Sequence, residues 1–273
     1  MKKPEMSVII STYNAPKWLE KTLYGFSIQS FQDFEIVIAD DGSKQETRDL
    51  IEKFSAETEI PVVHVWHEDN GFQKSQILNK AILKCSSEYI VMTDGDCIPR
   101  KDFMQVHFDC REPGYFLSGG YFMLPMDTSE KINKEDIEMQ RCFEKSWLQK
   151  NGLKSVIKTM KLTSEGRKAE FLNKITPTSP TWNGHNASGW TSDILKVNGF
   201  DERMQYGGQD RELGERLVNS GIKGKQIRYS AICVHLDHPR GYKTQESIDY
   251  NRSIRKNTRD TNSVFTKFGI NKS

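Results

Sequence analysis

Tyr89-Ile-Val-Met-Thr-Asp-Gly-Asp-Cys-Ile98 is the stretch on which the fold turns. The apolar run from Tyr89 to Met92 reads as a buried strand, and it stops at two carboxylates, Asp94 and Asp96, with only Gly95 between them. Glycine lets the backbone turn sharply, so both acids can aim at one ligand beyond the strand end. Hard divalent cations take oxygen ligands and keep substrate phosphates in their shell, so such a pair suits a cation carrying a diphosphate. Alone, an Asp-x-Asp turn is most often a solvated turn. The segments on either side decide between the two readings.

Upstream, short apolar runs alternate with helical patterns. Ser7 to Thr12 reads as a strand, and Pro16 after Tyr13-Asn14-Ala15 suits the first turn of a helix. Phe34 to Asp40 is a second strand, ending at Asp40-Asp41-Gly42-Ser43, and a helix from about Gln45 to Phe54 follows. Pro61 to Trp66 is a third strand. Ile77, Leu78, Ala81 and Ile82 recur at helical spacing between Lys74 and Lys84, ahead of the strand that ends at Asp94. This order predicts an α/β fold with a mostly parallel sheet and helices on both faces. Ligands in open α/β sheets bind outside the carboxyl ends of the strands, where four polar loops collect here.

Downstream the pattern changes. Tyr115 to Leu124 reads as a strand interrupted at Gly119-Gly120, a mark of a bulge or close backbone approach. From Asp127 to about Lys174 the chain is polar, lysine-rich and helical in pattern, and Pro177 to Trp182 breaks it. Asn183 to Trp190 reads as a functional loop before a short helix. Asp210 to Ser220 forms a helix stopped by Gly221, and the charged tail from Tyr242 suggests an amphipathic helix around Ile248 to Phe268. We therefore expect one domain over 1–240. It divides into two halves, 1–98 and 99–240, the second with a helical insertion at about 127–175, followed by a charged helical tail, 241–273.

Bulk properties exclude several classes. With 273 residues, 36% hydrophobic and mean hydropathy of -0.66, the chain has ample core and no apolar run near the roughly 20 residues that span a bilayer. Met1-Lys-Lys-Pro-Glu5 leads into only a short apolar run, so a cytoplasmic location is expected. Cys85, Cys97, Cys110, Cys142 and Cys233 form no C-x-x-C pair and are odd in number, which argues against a disulfide framework or structural zinc. A net charge of +2 gives no field pointing to nucleic acid. Locally, Lys145 to Lys174 carries eight Lys and Arg against two Glu. Lys150, Lys154, Lys158 and Lys161 would share a helix face that suits anionic headgroups at the inner membrane, near a lipid-linked acceptor. A solvated face is the plainer reading.

Taken together, Val8-Ile-Ile-Ser-Thr-Tyr-Asn14, Ala39-Asp-Asp-Gly-Ser43, Asn70-Gly71 with Asn79, and Thr93-Asp-Gly-Asp96 resemble the inverting family 2 glycosyltransferases. These have the GT-A fold, a Rossmann-like nucleotide-diphospho-sugar transferase. Gly199-Phe-Asp-Glu202 and Tyr206-Gly-Gly-Gln-Asp-Arg-Glu-Leu-Gly-Glu-Arg216 resemble a galactosyltransferase-like C-terminal segment of bacterial chain-building enzymes. The resemblance covers about Met6 to Asp96 and Asn183 to His238.

It implies a UDP-sugar donor and a glycan or lipid-linked acceptor. Thr12, Tyr13, Asn14 and either Asp40 or Asp41 would hold base and ribose, although Asp40-Asp41-Gly42-Ser43 would equally cap the next helix. Lys74 would reach a phosphate or lie solvated. Asp94, with Gly95, would face ribose and sugar. Asp96 would hold Mn2+ or Mg2+, with His235, or His238 in reserve, as a further ligand. Asp210 would be the base, standing after Gln209 where the family usually has an acid. An amide cannot ionise, which puts the acceptor in doubt. Asn183, Trp190, Gly207, Gly208 and Gln209 would wall the donor sugar and acceptor, with Trp182, Trp190 or Tyr206 as an aromatic platform. Gln209 also leaves open an inactive UDP-sugar-binding or regulatory protein. A nucleotidyltransferase would want a Gly-rich, basic loop where Ser11-Thr-Tyr-Asn-Ala15 stands, and no G-x-G-x-x-G follows a strand as a dinucleotide oxidoreductase requires.

Overall fold

The computed structural model describes residues 3–154, 159–239 and 244–272. Strands β1 (Met6–Thr12), β2 (Phe34–Asp40), β3 (Val62–Trp66) and β4 (Tyr89–Asp94) lie parallel in the order β3-β2-β1-β4. Period-two alternation gives each strand two apolar faces. Val8 and Ile10 pack with Leu19, Leu23 and Phe26 of helix α1 (Pro16–Ser27), while Ile9 packs with Ile77 and Ala81 of α3 (Lys74–Ile82). Burial on both faces is why these strands read as continuous apolar runs. The helix expected to end at Phe54 runs on as α2 (Gln45–Glu57).

Beyond β4 the sheet continues through β8 (Ala187–Trp190), β6 (Tyr115–Ser118) and β9 (Lys223–Gln226), and of its seven strands only β8 runs against the rest. The stretch Asn183 to Trp190, expected as a loop, is thus half strand. Its alternation is hidden because Ala187, Ser188 and Gly189 are small. Gly189 makes room for Trp182, since a Cβ there would meet the indole at 2.9 Å.

The strand expected from Tyr115 to Leu124 splits at Gly119, and its second part, β7 (Gly120–Met123), joins a separate three-stranded sheet with β5 (Cys97–Pro99) and β10 (Ile232–His235). A Cβ on Gly119 would sit 1.9 Å from Asn186 Oδ1, and one on Gly120 would sit 2.1 Å from the Arg228 carbonyl. Close approach requires both glycines. The small sheet sets His235 opposite Cys97, directly after Asp96.

Short helices cover this sheet: α5 (Met126–Lys131), α6 (Lys134–Glu138), α7 (Lys145–Lys150), α8 (Met160–Thr163) and α9 (Gly166–Ile175). Ile132, Ile137, Phe143, Leu148 and Leu162 pack with Phe122, Ile232 and Val234 into a third core. The lysine comb does not share one helix face. Lys150 ends α7, Gly152 turns at φ 113°, Lys161 belongs to α8, and Lys158 lies outside the described residues.

Helix α10 (Thr191–Lys196) follows β8, and α11 (Gln209–Asn219) begins after Gly207 and Gly208 at φ 111° and 88°. The tail helix α12 is Gln245–Asp260, shorter at its C-terminal end than expected, and Asn262 turns the chain at φ 48°. It lies on α11 through Thr258 to Glu212 (2.9 Å) and Arg255 to Glu215 (2.6 Å). The final residues fold back, with Asn198 bonded to Thr266 and Asn271 and Ile270 packed on the second core. Tyr242 lies outside the described residues.

Candidate functional site

A cavity of about 1100 Å³ opens at the carboxyl ends of β1, β2 and β4. Thr12, Tyr13 and Asn14 form one side. Asn14 takes φ 46°, held by its N–H on Ser43 Oγ (2.8 Å) and by Lys44 N–H on its own Oδ1 (2.9 Å). Thr12 Oγ1 is buried with no hydrogen-bond partner among the described residues, a donor waiting at the cavity wall. Tyr13 is 47% exposed and donates its hydroxyl to Asp69 (2.8 Å).

The two acids after β2 divide. Asp40 is fully buried away from the cavity, accepting from Ser43 N–H (2.8 Å) and His64 Nε2 (2.9 Å). It braces the turn ahead of α2 rather than capping that helix, whose N-cap, Lys44, has no side-chain cap bond. Asp41 lines the cavity and is fixed by His67 Nε2 (2.7 Å) and Gln73 N–H (3.0 Å). Burial raises its pKa, while His67 and the Gln73 amide oppose that rise.

Asp94 sits beside Lys74, whose Nζ lies 2.6 Å from Asp94 Oδ1, and Ser11 Oγ donates to the same oxygen (2.8 Å). Burial alone would raise the Asp94 carboxyl and lower the Lys74 ammonium. Their attraction reverses both, so Asp94 titrates well below the usual carboxylate range and Lys74 above the usual lysine range. Gly95 N–H donates to the Ser11 carbonyl (2.8 Å), bending the chain so that Asp96 also faces the cavity.

Ligand atoms of Asp94, Asp96, Cys97 and His235 all lie within 4.8 Å of one another. Two ligands of one ion, each roughly 2.1 Å from it, stand about 3 to 4 Å apart. His235 Nε2 is 3.6 Å from Asp96 Oδ1, and His238 Nε2 is 2.9 Å from Asp96 Oδ2. His235 Nδ1 is bonded to the Leu236 carbonyl (2.9 Å), which turns Nε2 toward the acids. Burial, with Cys233 beside it, pushes the Cys97 thiol well up, and the thiol donates to Asp96 Oδ1 (3.4 Å). With the carboxylate oxygens and imidazole nitrogen around it, the group fits a divalent cation.

Asp210 opens α11 and does not itself line the cavity. Its Oδ2 accepts from Gly184 N–H (3.0 Å) and its Oδ1 from Arg211 N–H (2.8 Å). An atom added to Gly184 would lie 4.0 Å from both Asp210 Oδ2 and Asp94 Oδ1, so carboxylates of α11 and β4 meet over that residue. Gln209 lines the cavity and accepts from Gly207 N–H on Oε1 (3.0 Å).

The expected wall is only partly present. Trp190 pairs with Tyr89 at the far end of β4 and donates to the Glu112 carbonyl (3.0 Å), so it cannot reach the cavity. Trp182 is fully buried in the second core, against Gly189 and Gly214. Asn183 donates to Ser118 Oγ (3.4 Å) outside the cavity, and Gly207 and Gly208 shape the start of α11 rather than line it. Only Tyr206 of the three candidate platforms lines the cavity, edge-on to Phe72 with centroids 6.0 Å apart. Sequence reading did not single out His185, Tyr121 or Trp18, which do line it. Burial pushes the His185 imidazole down to about 4, although Asp94, Asp210 and Asp96 pull it up. Nothing in the sequence separates His185 from its polar neighbours.

Residues 7–110 match the model of glycosyl transferase family 2. The chain is 24% identical over 270 residues to the uncharacterized glycosyltransferase YfnE of Bacillus subtilis, covering 90% of this chain and 68% of that one. It is 27% identical over 234 residues to a validoxylamine A glucosyltransferase of Streptomyces hygroscopicus, covering 80% and 52%, so it spans about half of that relative. In fold it is similar to a mannosyltransferase of Pyrobaculum calidifontis solved with GDP-Man and Mn2+ (TM-score 0.59, 17% identity, 96% of this chain and 63% of that one). It is similar too to residues 1–349 of S. aureus TarS, solved with UDP-GlcNAc (TM-score 0.57, 16% identity, 87% and 60%). Among the described residues no helix is long and apolar enough to cross a membrane.

Proposed function

We propose that this family 2 glycosyltransferase of the GT-A fold moves a hexose or N-acetylhexosamine from a UDP-sugar to a growing surface glycan, with inversion at the anomeric carbon. One observation carries the reading: Asp94 and Asp96 at the end of β4 line one cavity with Lys74 and His235, and Asp210 of α11 approaches the same Gly184 turn as Asp94 from just outside it.

Thr12, Tyr13, Asn14 and Asp41 bind base and ribose, with Asp41 rather than Asp40 accepting from the ligand. Asp94 orients ribose and sugar, and Lys74 balances its charge. Asp96 and His235, with His238 beside them, hold a divalent cation of the Mn2+ or Mg2+ kind. When bound, that cation offsets negative charge developing on the departing diphosphate. Asp210 takes the proton of the acceptor hydroxyl as it attacks from the face opposite the diphosphate, so an α-linked donor gives a β-linked product. The two halves of the domain share this work, 1–98 holding the nucleotide and 99–240 the acceptor. UDP is favoured over another base by likeness to a neighbour solved with UDP-GlcNAc, while GDP-Man in a second neighbour supplies the competitor for the test.

A screen of UDP-sugars and GDP-Man by calorimetry, with and without Mn2+, tests the reading. Metal-dependent binding of a UDP-sugar, with slow hydrolysis that Asp96→Ala abolishes, is expected; binding indifferent to metal refutes it. Gln209 favours one alternative, an inactive UDP-sugar-binding or regulatory protein, because its carbonyl oxygen is engaged by Gly207 rather than free for an acceptor. Binding without turnover on any acceptor would establish that alternative.

A further inference from the structure

Strand β7 exposes what a folded chain ordinarily hides. Its burial alternates, with Gly120 and Phe122 inside and Tyr121 and Met123 exposed at 37% and 39%. Both exposed side chains line the cavity, and so do Trp18 and Met126 on the same side. Tyr121 stands edge-on to His185 at 4.3 Å between centroids and 5.9 Å from the His235 ring. The His185 ring makes no hydrogen bond among the described residues. Apolar groups left in contact with water inside a cavity mark a surface that a ligand covers.

Position limits what that ligand is. Asp41 and Lys74 line the cavity near the ends of β2 and β4, and Asp94 reaches from Lys74 (2.6 Å) to the Gly184 turn. From Asp210 the chain runs by a hydrogen bond to Gly184, by one peptide bond to His185, and by ring contact to Tyr121. A group lying over His185 and Tyr121 is therefore next to the turn that Asp210 holds. The cavity, at about 1100 Å³, slightly exceeds the ~1,000 Å³ upper size of sites for one small ligand. A second substrate has room there.

We propose that Tyr121, Met123 and His185 form the subsite for the acceptor's terminal sugar, its C–H face against the Tyr121 ring and its hydroxyl edge toward His185. This rests on the glycosyltransferase reading and adds to it a carbohydrate acceptor and the residues that select it. Of the platforms expected at Trp182, Trp190 or Tyr206 only Tyr206 lines the cavity, and Tyr121 of the small sheet adds a second ring. A sugar suits the subsite better than an alkyl chain, because the apolar side chains are interrupted by His185, His235 and Glu130.

The experiment uses the full chain with UDP and Mn2+ and a panel of methyl glycosides, observed by saturation-transfer-difference NMR. Ring C–H enhancement is expected for at least one glycoside, weakened about tenfold in affinity by Tyr121→Ala, the factor for 1.4 kcal/mol, and retained in Tyr121→Phe. UDP affinity should stay within about twofold in both variants if the loss is confined to the acceptor side, a change of about 0.4 kcal/mol. No enhancement in the wild type with UDP bound would overturn the proposal, as would wild-type glycoside affinity in Tyr121→Ala or a joint loss of UDP affinity. Failure of UDP to bind at all would refute the donor reading first and is seen directly in the calorimetry.

Discussion

The four parallel strands up to Asp94 and the strands after Gly114 supply the same cavity by different means. In the first region each strand delivers its polar residues to the carboxyl end of the sheet, and the next few residues fix them: Ser43 holds Asp40, Lys44 holds Asn14, Gly95 bonds Ser11. In the second region, His185, Tyr121 and His235 come from two sheets at once. What holds those sheets together is a buried polar network. Asn186 donates to the Gly120 and Ala231 carbonyls (2.7 and 3.1 Å), so its Oδ1 accepts from His107 Nε2 (2.9 Å). His107 Nδ1 then accepts from Ser188 Oγ (2.7 Å), to which Tyr89 donates (2.9 Å). The network fixes the proton on Nε2, and burial disfavours a second proton on Nδ1. Changes to site residues in the first region should therefore cost binding, whereas changes to the network should cost stability and site geometry together.

The sharpest separation of the regions is expected at the chemistry itself. Asp210→Asn should lower kcat about 10³-fold, within the range for loss of a general base, and leave metal-dependent UDP affinity unchanged. If both fall together, the α11 carboxylate belongs to the donor side and the division between regions breaks.

Next comes pH. Burial pushes His107 down to about 4 from an ordinary 6.5. Between those values the unfolded chain binds a proton that the folded chain refuses, so stability falls as pH drops from 6.5 toward 4, by up to about 3 kcal/mol. His185, also pushed down to about 4, adds to the same slope, so thermal melts should lose about half of it in His107→Gln, which keeps one donor and one acceptor. An unchanged slope in that variant would mean that the network is not what the second region depends on.

The smallest effect tests the first region from within. Asp41→Asn should weaken UDP binding about tenfold, equivalent to the ~1.4 kcal/mol of a charge-assisted hydrogen bond. Asp40→Asn should leave UDP binding near wild type and lower the melting temperature, since its oxygens serve only Ser43 and His64. Reversed outcomes would place the base-binding acid one residue earlier.

The first region was legible because its signals are local. A strand, a turn and a glycine occupy adjacent positions, so Thr12 to Asn14, Asp41, Lys74, Asp94 and Asp96 could all be read along the chain, and the structure gathers them at one cavity. The choice between Asp40 and Asp41, and whether Lys74 faces the site, were undecided, since side-chain direction depends on partners such as His64, His67 and Asp94, 20 or more residues away. In the second region the reading of Trp182 and Trp190 as platforms failed for a related reason. An indole serves core and ligand alike, and Gly189 accommodates the Trp182 ring and Gly214 its Cβ and backbone only after β8 and α11 have come together. Asn79 is similar: it looked like part of a substrate motif and instead bonds the backbone of Phe200 from both sides, at 2.7 and 2.9 Å.

By itself the sequence determined a parallel nucleotide-binding sheet and the acids at its rim, because alternation and turn chemistry act over a few residues. Tertiary structure alone decided that Gly119 would hand one strand to two sheets, that β8 would run against its neighbours, and that Tyr121 and His185 would meet at one cavity wall. Those outcomes depend on contacts between segments some 60 or more residues apart, where close backbone approach and buried polar bonds, rather than local preference, select the arrangement.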